Sequence, residues 1–121
     1  MKALLLLLTI CASLPAMAVD YHCSGTEPFW GLGTNGDKVT YEYFGEDEIK
    51  RTEKIQSKKY MAARPESVGV VIKTKRATAT IISNETCSDG MSDKEYSHSI
   101  VLDIKVLPMA LEGCCIVAPK K

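Results

Sequence analysis

The chain has 121 residues, with 15 basic and 15 acidic side chains and five cysteines. Balanced charge leaves no global field to gather nucleic acid or an anionic membrane, so neither is expected as a partner. The length suits one domain with a modest core, a size at which exported proteins often rely on cross-links.

The first 18 residues read as a leader. Met1-Lys2 supplies the basic start, Ala3 to Ala12 the apolar run, and Ala16-Met17-Ala18 the small-residue ending of a secretory signal peptide. The run falls short of the roughly 20 apolar residues of a spanning helix. Cys11 follows bulky Ile10 rather than the small residue of a lipobox, so it belongs to the discarded segment. Cleavage after Ala18 leaves residues 19–121 as a single domain, with 14 basic against 15 acidic side chains. No membrane span is expected after cleavage, and the protein is expected to be periplasmic or secreted.

From Val19 onward, short alternating segments are separated by turn signals. Asp20–Ser24 is a first strand, ended by Gly25. Glu27 precedes Pro28 and is held extended. Phe29–Thr34 follows, with Phe29 and Trp30 on opposite faces. Thr34-Asn35-Gly36-Asp37 reads as a hairpin turn with Asn-Gly at its centre. Lys38–Phe44 alternates, Val39, Tyr41 and Tyr43 against Thr40 and Glu42.

After an acidic turn at Gly45–Glu48, Ile49–Tyr60 fits a strand or a helix, though its helical apolar count is poor. As a strand it sets Lys50, Thr52, Lys54, Gln56 and Lys58 on one face. Such a stripe suits an anion, but more often it is a solvated edge that discourages intermolecular pairing. Val68–Thr74 and Ala77–Thr86 form a β-branched hairpin around Lys75-Arg76. Asn84-Glu85-Thr86 matches a glycosylation sequon, discounted for a leader of bacterial type. Ser92-Asp93-Lys94-Glu95 fits a capping box and hence one helical turn. Ser97–Val106 alternates again, with Ile100, Leu102, Ile104 and Val106 inward, and Ala110–Val117 is the last strand. The expected fold is therefore all-β, an antiparallel meander of about eight strands forming a small β-barrel or sandwich.

Four cysteines remain after cleavage: Cys23, Cys87, Cys114 and Cys115. An even number in an exported chain reads as two disulfides, with three possible connectivities. Neighbours on a strand point to opposite faces, so Cys114 and Cys115 would tie one strand to two different partners. Cys23 is expected on one of them and Cys87 on the other. A thiolate metal or redox site, with His22 or His98, is the competing reading, disfavoured by export and by the lack of a Cys-x-x-Cys pair.

Catalytic signals are sparse. No Gly-x-Ser-x-Gly elbow or phosphate-binding glycine loop is present, and two isolated histidines make a poor case for a general base. Asp89 and Asp93 lack the oxygen-ligand density of a calcium loop. The protein is expected not to be an enzyme and to need no cofactor. The first reading of the cysteine-anchored stretches is architectural, with Gly25 and Gly90 in tight turns, Trp30 in the core and Ser92 as a helix cap. A binding role would instead rest on Glu27, Trp30, Asp89 and Asp93, drawn together by the bridges into an aromatic and acidic patch.

Three stretches carry a resemblance: C-x-G-x-E-P-F-W (Cys23–Trp30), C-x-D-G-M-S-D (Cys87–Asp93) and L-x-G-C-C (Leu111–Cys115). Together they resemble a family of bacterial envelope proteins, membrane-associated or lipoprotein in type, some accompanied by META-type domains. The resemblance spans nearly the whole mature chain and implies envelope location without implying an activity. Many such proteins carry a lipobox, which is missing here. In architecture alone the chain is also similar to small periplasmic barrels that inhibit c-type lysozymes, whose inhibitory loop is not recognisable in it. Apart from that resemblance, an exposed Trp30 flanked by carboxylates would favour a cationic or sugar-bearing partner, so the expected partner is an envelope protein or a peptidoglycan-related ligand.

Overall fold

The computed structural model describes residues 19–62, 68–90 and 93–118. The expected leader lies outside them. The described residues form nine strands: β1 (Tyr21–Thr26), β2 (Phe29–Asn35), β3 (Lys38–Phe44), β4 (Glu48–Lys54), β5 (Ser57–Tyr60), β6 (Gly69–Lys73), β7 (Ala77–Cys87), β8 (Tyr96–Ile104) and β9 (Leu111–Val117). They make one sheet in the order β4-β3-β2-β1-β9-β8-β7-β6-β5, and every pairing is antiparallel. The two disulfides, Cys23–Cys115 and Cys87–Cys114, are those of a protein from an oxidising, non-cytoplasmic location. Among the described residues, no helix is long and apolar enough to cross a membrane.

The outermost strands of the sheet, β4 and β5, are consecutive in the chain. Eight antiparallel steps separate them across the sheet, so they run in the same direction. They are one extended run, interrupted only at Ile55-Gln56. There the Ile55 N–H donates to the Asp37 carbonyl (2.7 Å) and the Gln56 N–H donates to the Lys73 carbonyl (2.8 Å). The run leaves one edge and joins the other without a reversal. A sheet whose edges are joined this way must curl, and its concave face holds the core. Expectation and structure differ here only in count, because the single Ile49–Tyr60 strand is divided in two.

Side-chain alternation fills that core. Val39 and Tyr41 from β3, Ala79 and Ile81 from β7, and Ile100, Leu102 and Ile104 from β8 are buried. Their odd-even neighbours Thr40, Val101 and Asp103 face water, as a pleat requires. Burying one aliphatic side chain contributes about 1.5–3 kcal/mol, so this inner row is the main favourable term of the fold.

Four local expectations are corrected. Val106 is 66% exposed, because β8 ends at Ile104 and the chain bends away before it. Asp93–Glu95 carries no helical turn, and the rest of the capping box lies outside the described residues. The first hairpin sits one residue later than expected. Asn35 pairs with Lys38, leaving Gly36-Asp37 as the loop, with Gly36 at φ 62° supplying the left-handed step. The lysine stripe is also broken. Lys50, Thr52 and Lys54 face out, but Lys58 is in register with buried Ile72 and so turns to the inner face. Its Nζ is buried without a hydrogen-bond partner among the described residues, 5.8 Å from the centre of the Tyr60 ring.

Candidate functional site

Cys114 and Cys115 lie side by side on β9 and point to opposite faces of the sheet. Cys115 is directly opposite Cys23 on β1, and their bridge lies on the core side. Cys114 is bridged to Cys87 at the end of β7. The ladder between β7 and β8 is irregular between Ser83 and Cys87, which frees the end of β7 from strict register. The Cys87–Cys114 bond then holds residues 87–90 against the outer face of β1 and β9. The Thr26 hydroxyl donates to the Asp89 carbonyl (3.4 Å), and the Tyr96 hydroxyl donates to the Asp89 carboxylate (2.9 Å). Burial, and then the bond to Asp89, push the Tyr96 phenol above its usual range, against a smaller opposing effect of Ser24.

Two grooves flank this strapped segment. One, of about 390 Å³, runs beside the disulfide and is lined by Ser24, Cys87, Ser99 and Cys114 among others. The other, of about 670 Å³, is lined by Glu27, Asp89, Val101, Met109 and Glu112 with the surrounding backbone. Asp89, Val101 and Glu112 border both. The surface thus combines three carboxylates with two exposed apolar side chains and adjoins hydroxyl groups. It is shaped to accept a positively charged, partly apolar group.

The four residues expected to form one patch are divided. Glu27 and Asp89 line the same groove. Asp93 is exposed and lines neither groove. Trp30 is only 4% exposed, so the exposed indole of the binding reading is corrected and the architectural reading holds for this residue. It lies in the core, where its Nε1 donates to the Glu112 carbonyl (3.2 Å). Two glycines make room for the ring. A Cβ on Gly113 would come within 2.7 Å of Trp30 Cζ2, and one on Gly25 would collide with the indole edge. Because Trp30 faces in, its neighbour Phe29 faces out and is 56% exposed. The acidic groove also includes Glu112, which the sequence reading passed over. Alternation from Leu111 could have placed it outward, but nothing local placed it beside Asp89.

A second polar cluster lies where β4 ends. Glu53 Oε1 accepts hydrogen bonds from the Tyr41 hydroxyl (2.6 Å) and the Thr74 hydroxyl (2.8 Å). Burial alone would raise the Glu53 carboxyl. Hydrogen bonds from Tyr41, Thr74 and the Arg76 backbone, with the Arg76 charge, outweigh it and hold the carboxyl below its usual range. Burial, followed by the bond to Glu53, raises the Tyr41 phenol, while Arg51 acts in the opposite direction.

The histidines do not converge on either cluster. His22 is exposed. His98 is buried, with Nδ1 2.7 Å from the Ser97 hydroxyl and its ring edge-on to Tyr21. No cluster of potential metal ligands occurs among the described residues, and the four cysteines of the alternative thiolate site are all engaged in disulfides. The fold and site together define a disulfide-stapled, curled antiparallel sheet with an acidic outer groove. Comparison with protein-family models, curated proteins and solved structures finds no match to the chain.

Proposed function

We propose that the protein is an exported, non-catalytic binding module of the bacterial envelope, periplasmic or secreted, that recognises a cationic partner. The observation that carries this reading is the groove lined by the carboxylates of Glu27, Asp89 and Glu112 together with Val101 and Met109. Carboxylates around a partly apolar depression favour a partner that brings lysine or arginine side chains with their aliphatic stems. The resemblance of the three cysteine-anchored motifs to envelope proteins supports the location. Described residues of those motifs form the two bridges and the 87–90 segment beside the groove.

A cationic lysozyme-like hydrolase, bound and thereby inhibited, is the second reading, favoured by the same acidic lining. The test is binding of the disulfide-intact mature chain to immobilised lysozyme and to soluble muropeptides. An interaction that weakens with salt and falls at least about tenfold in Glu112→Gln with Asp89→Asn supports the groove. Binding that is absent, or unchanged in the double variant, refutes it. Loss of lysozyme activity on binding separates inhibition from simple capture.

A further inference from the structure

A second concave surface lies at the junction of the sheet's two edges, separate from the acidic groove. It is a cleft of about 670 Å³ between the end of β4 and the β6–β7 turn, lined by Arg51, Glu53, Lys54, Gln56, Lys75 and Arg76 among others. We propose that this cleft is an anion-binding site for a phosphate-bearing ligand.

The first support is the charge inventory. Among the described residues, four cations and one carboxylate line the cleft. None of the four is within ion-pair distance of a described carboxylate, although the Arg76 charge acts on Glu53 and Arg51 acts on Tyr41. By contrast, Lys50 on the same strand is paired with Glu42 at 3.3 Å. With one carboxylate against four cations the cleft keeps an excess of positive charge, and an oxyanion between the cations relieves their repulsion.

The state of Glu53 is the second support. Its Oε1 already takes the Tyr41 and Thr74 hydroxyls, so the one acid in the lining is bound into the protein framework. Those bonds also join β3, β4 and the β6–β7 turn across the junction, which keeps the cationic groups on a fixed frame. Cations carried on a fixed backbone lose less freedom on binding than the same charges on a loose loop. Two of them are arginines, whose planar fork suits two oxygens of a phosphate, and two are lysines that act as point charges. Gln56 and Thr52 add neutral donors at the rim.

The probe is inorganic pyrophosphate, titrated into the disulfide-intact mature protein and followed by amide chemical shifts. Saturable shifts confined to residues 51–56 and 74–77 are expected, with affinity falling by about tenfold in Lys75→Gln with Arg76→Gln. Both side chains are exposed on a turn, and an unchanged amide spectrum elsewhere confirms that the variant is folded. Lys75→Arg retains binding. Unsaturable shifts spread over all lysines, or equal affinity in the double variant, overturn the site. Vesicles then distinguish the sources of phosphate. Retention on phosphatidylglycerol but not phosphatidylcholine vesicles, reversed by pyrophosphate, assigns a lipid headgroup. Pyrophosphate binding without vesicle retention assigns a soluble ligand.

Discussion

Trp30 occupies the space that a side chain on Gly113 would need. The indole lies across β9 at this point, and a Cβ on Gly113 would come within 2.7 Å of its Cζ2 and 2.8 Å of the Ser24 carbonyl carbon. Neither neighbour is the free end of a flexible chain, so the strain of a substitution must be taken up by a ring or by backbone.

Gly113→Ala is therefore expected to destabilise the protein by about 1–3 kcal/mol, through overpacking. Gly31→Ala is the control. It lies on the same sheet, and its Cβ would meet nothing closer than the Cys23 carbonyl at 3.8 Å. Urea unfolding should separate the two, with a lowered midpoint for Gly113→Ala alone. Trp30 fluorescence should be blue-shifted and poorly quenched in the folded protein, because the ring is in the core.

The disulfides have separable effects. Cys87 and Cys114 are 27 residues apart in the chain, and loss of a bridge closing such a loop costs about 3–4 kcal/mol. Cys87→Ser should expose one reactive thiol, on Cys114. Replacing Cys87 and Cys114 together should restore a thiol-free protein that keeps the Cys23–Cys115 bridge but loses the strap over β1 and β9. Peptide mapping that pairs Cys114 with Cys115 would contradict this arrangement.

Acid should open the junction of the sheet edges before the rest of the fold. The Glu53 carboxyl is depressed in the folded protein, so its contribution is present above its unfolded pKa, near the ordinary glutamate value of 4.5. It is lost as pH falls through the lower, folded value, where Glu53 takes up a proton. Glu53→Gln should remove that part of the acid dependence and lower stability at neutral pH. Thermal melts of both proteins between about pH 3 and 7 check the sign.

Lys58 gives the opposite expectation. Its buried Nζ has no hydrogen-bond partner among the described residues, and such a group commonly costs about 1–3 kcal/mol. Lys58→Met keeps much of the length and removes the charge. It should raise the melting temperature, and an unchanged or lower one would show that the Tyr60 ring offsets the cost of burial.

Strand content was legible from residue order, because a pleat writes burial into every second position. Val39, Tyr41 and Tyr43 against Thr40 and Glu42 needed no partner strand to be recognised. The need for two bridges from one strand was legible too, since adjacent residues on a strand face opposite ways. Which cysteine met which was not. That depends on which residue of β9 stands opposite Cys23, a matter of the register in which β1 pairs with a strand about 90 residues later. The same limit hid the burial of Trp30. Alternation placed Trp30 and Phe29 on opposite faces, but the concave side of β2 is set by the curl of the whole sheet. The lysine stripe failed for a related reason. At Ile55-Gln56 the run changes partners from β3 to β6, and the change of face that turns Lys58 inward comes from closing the sheet's edges, an event with no local pattern to announce it.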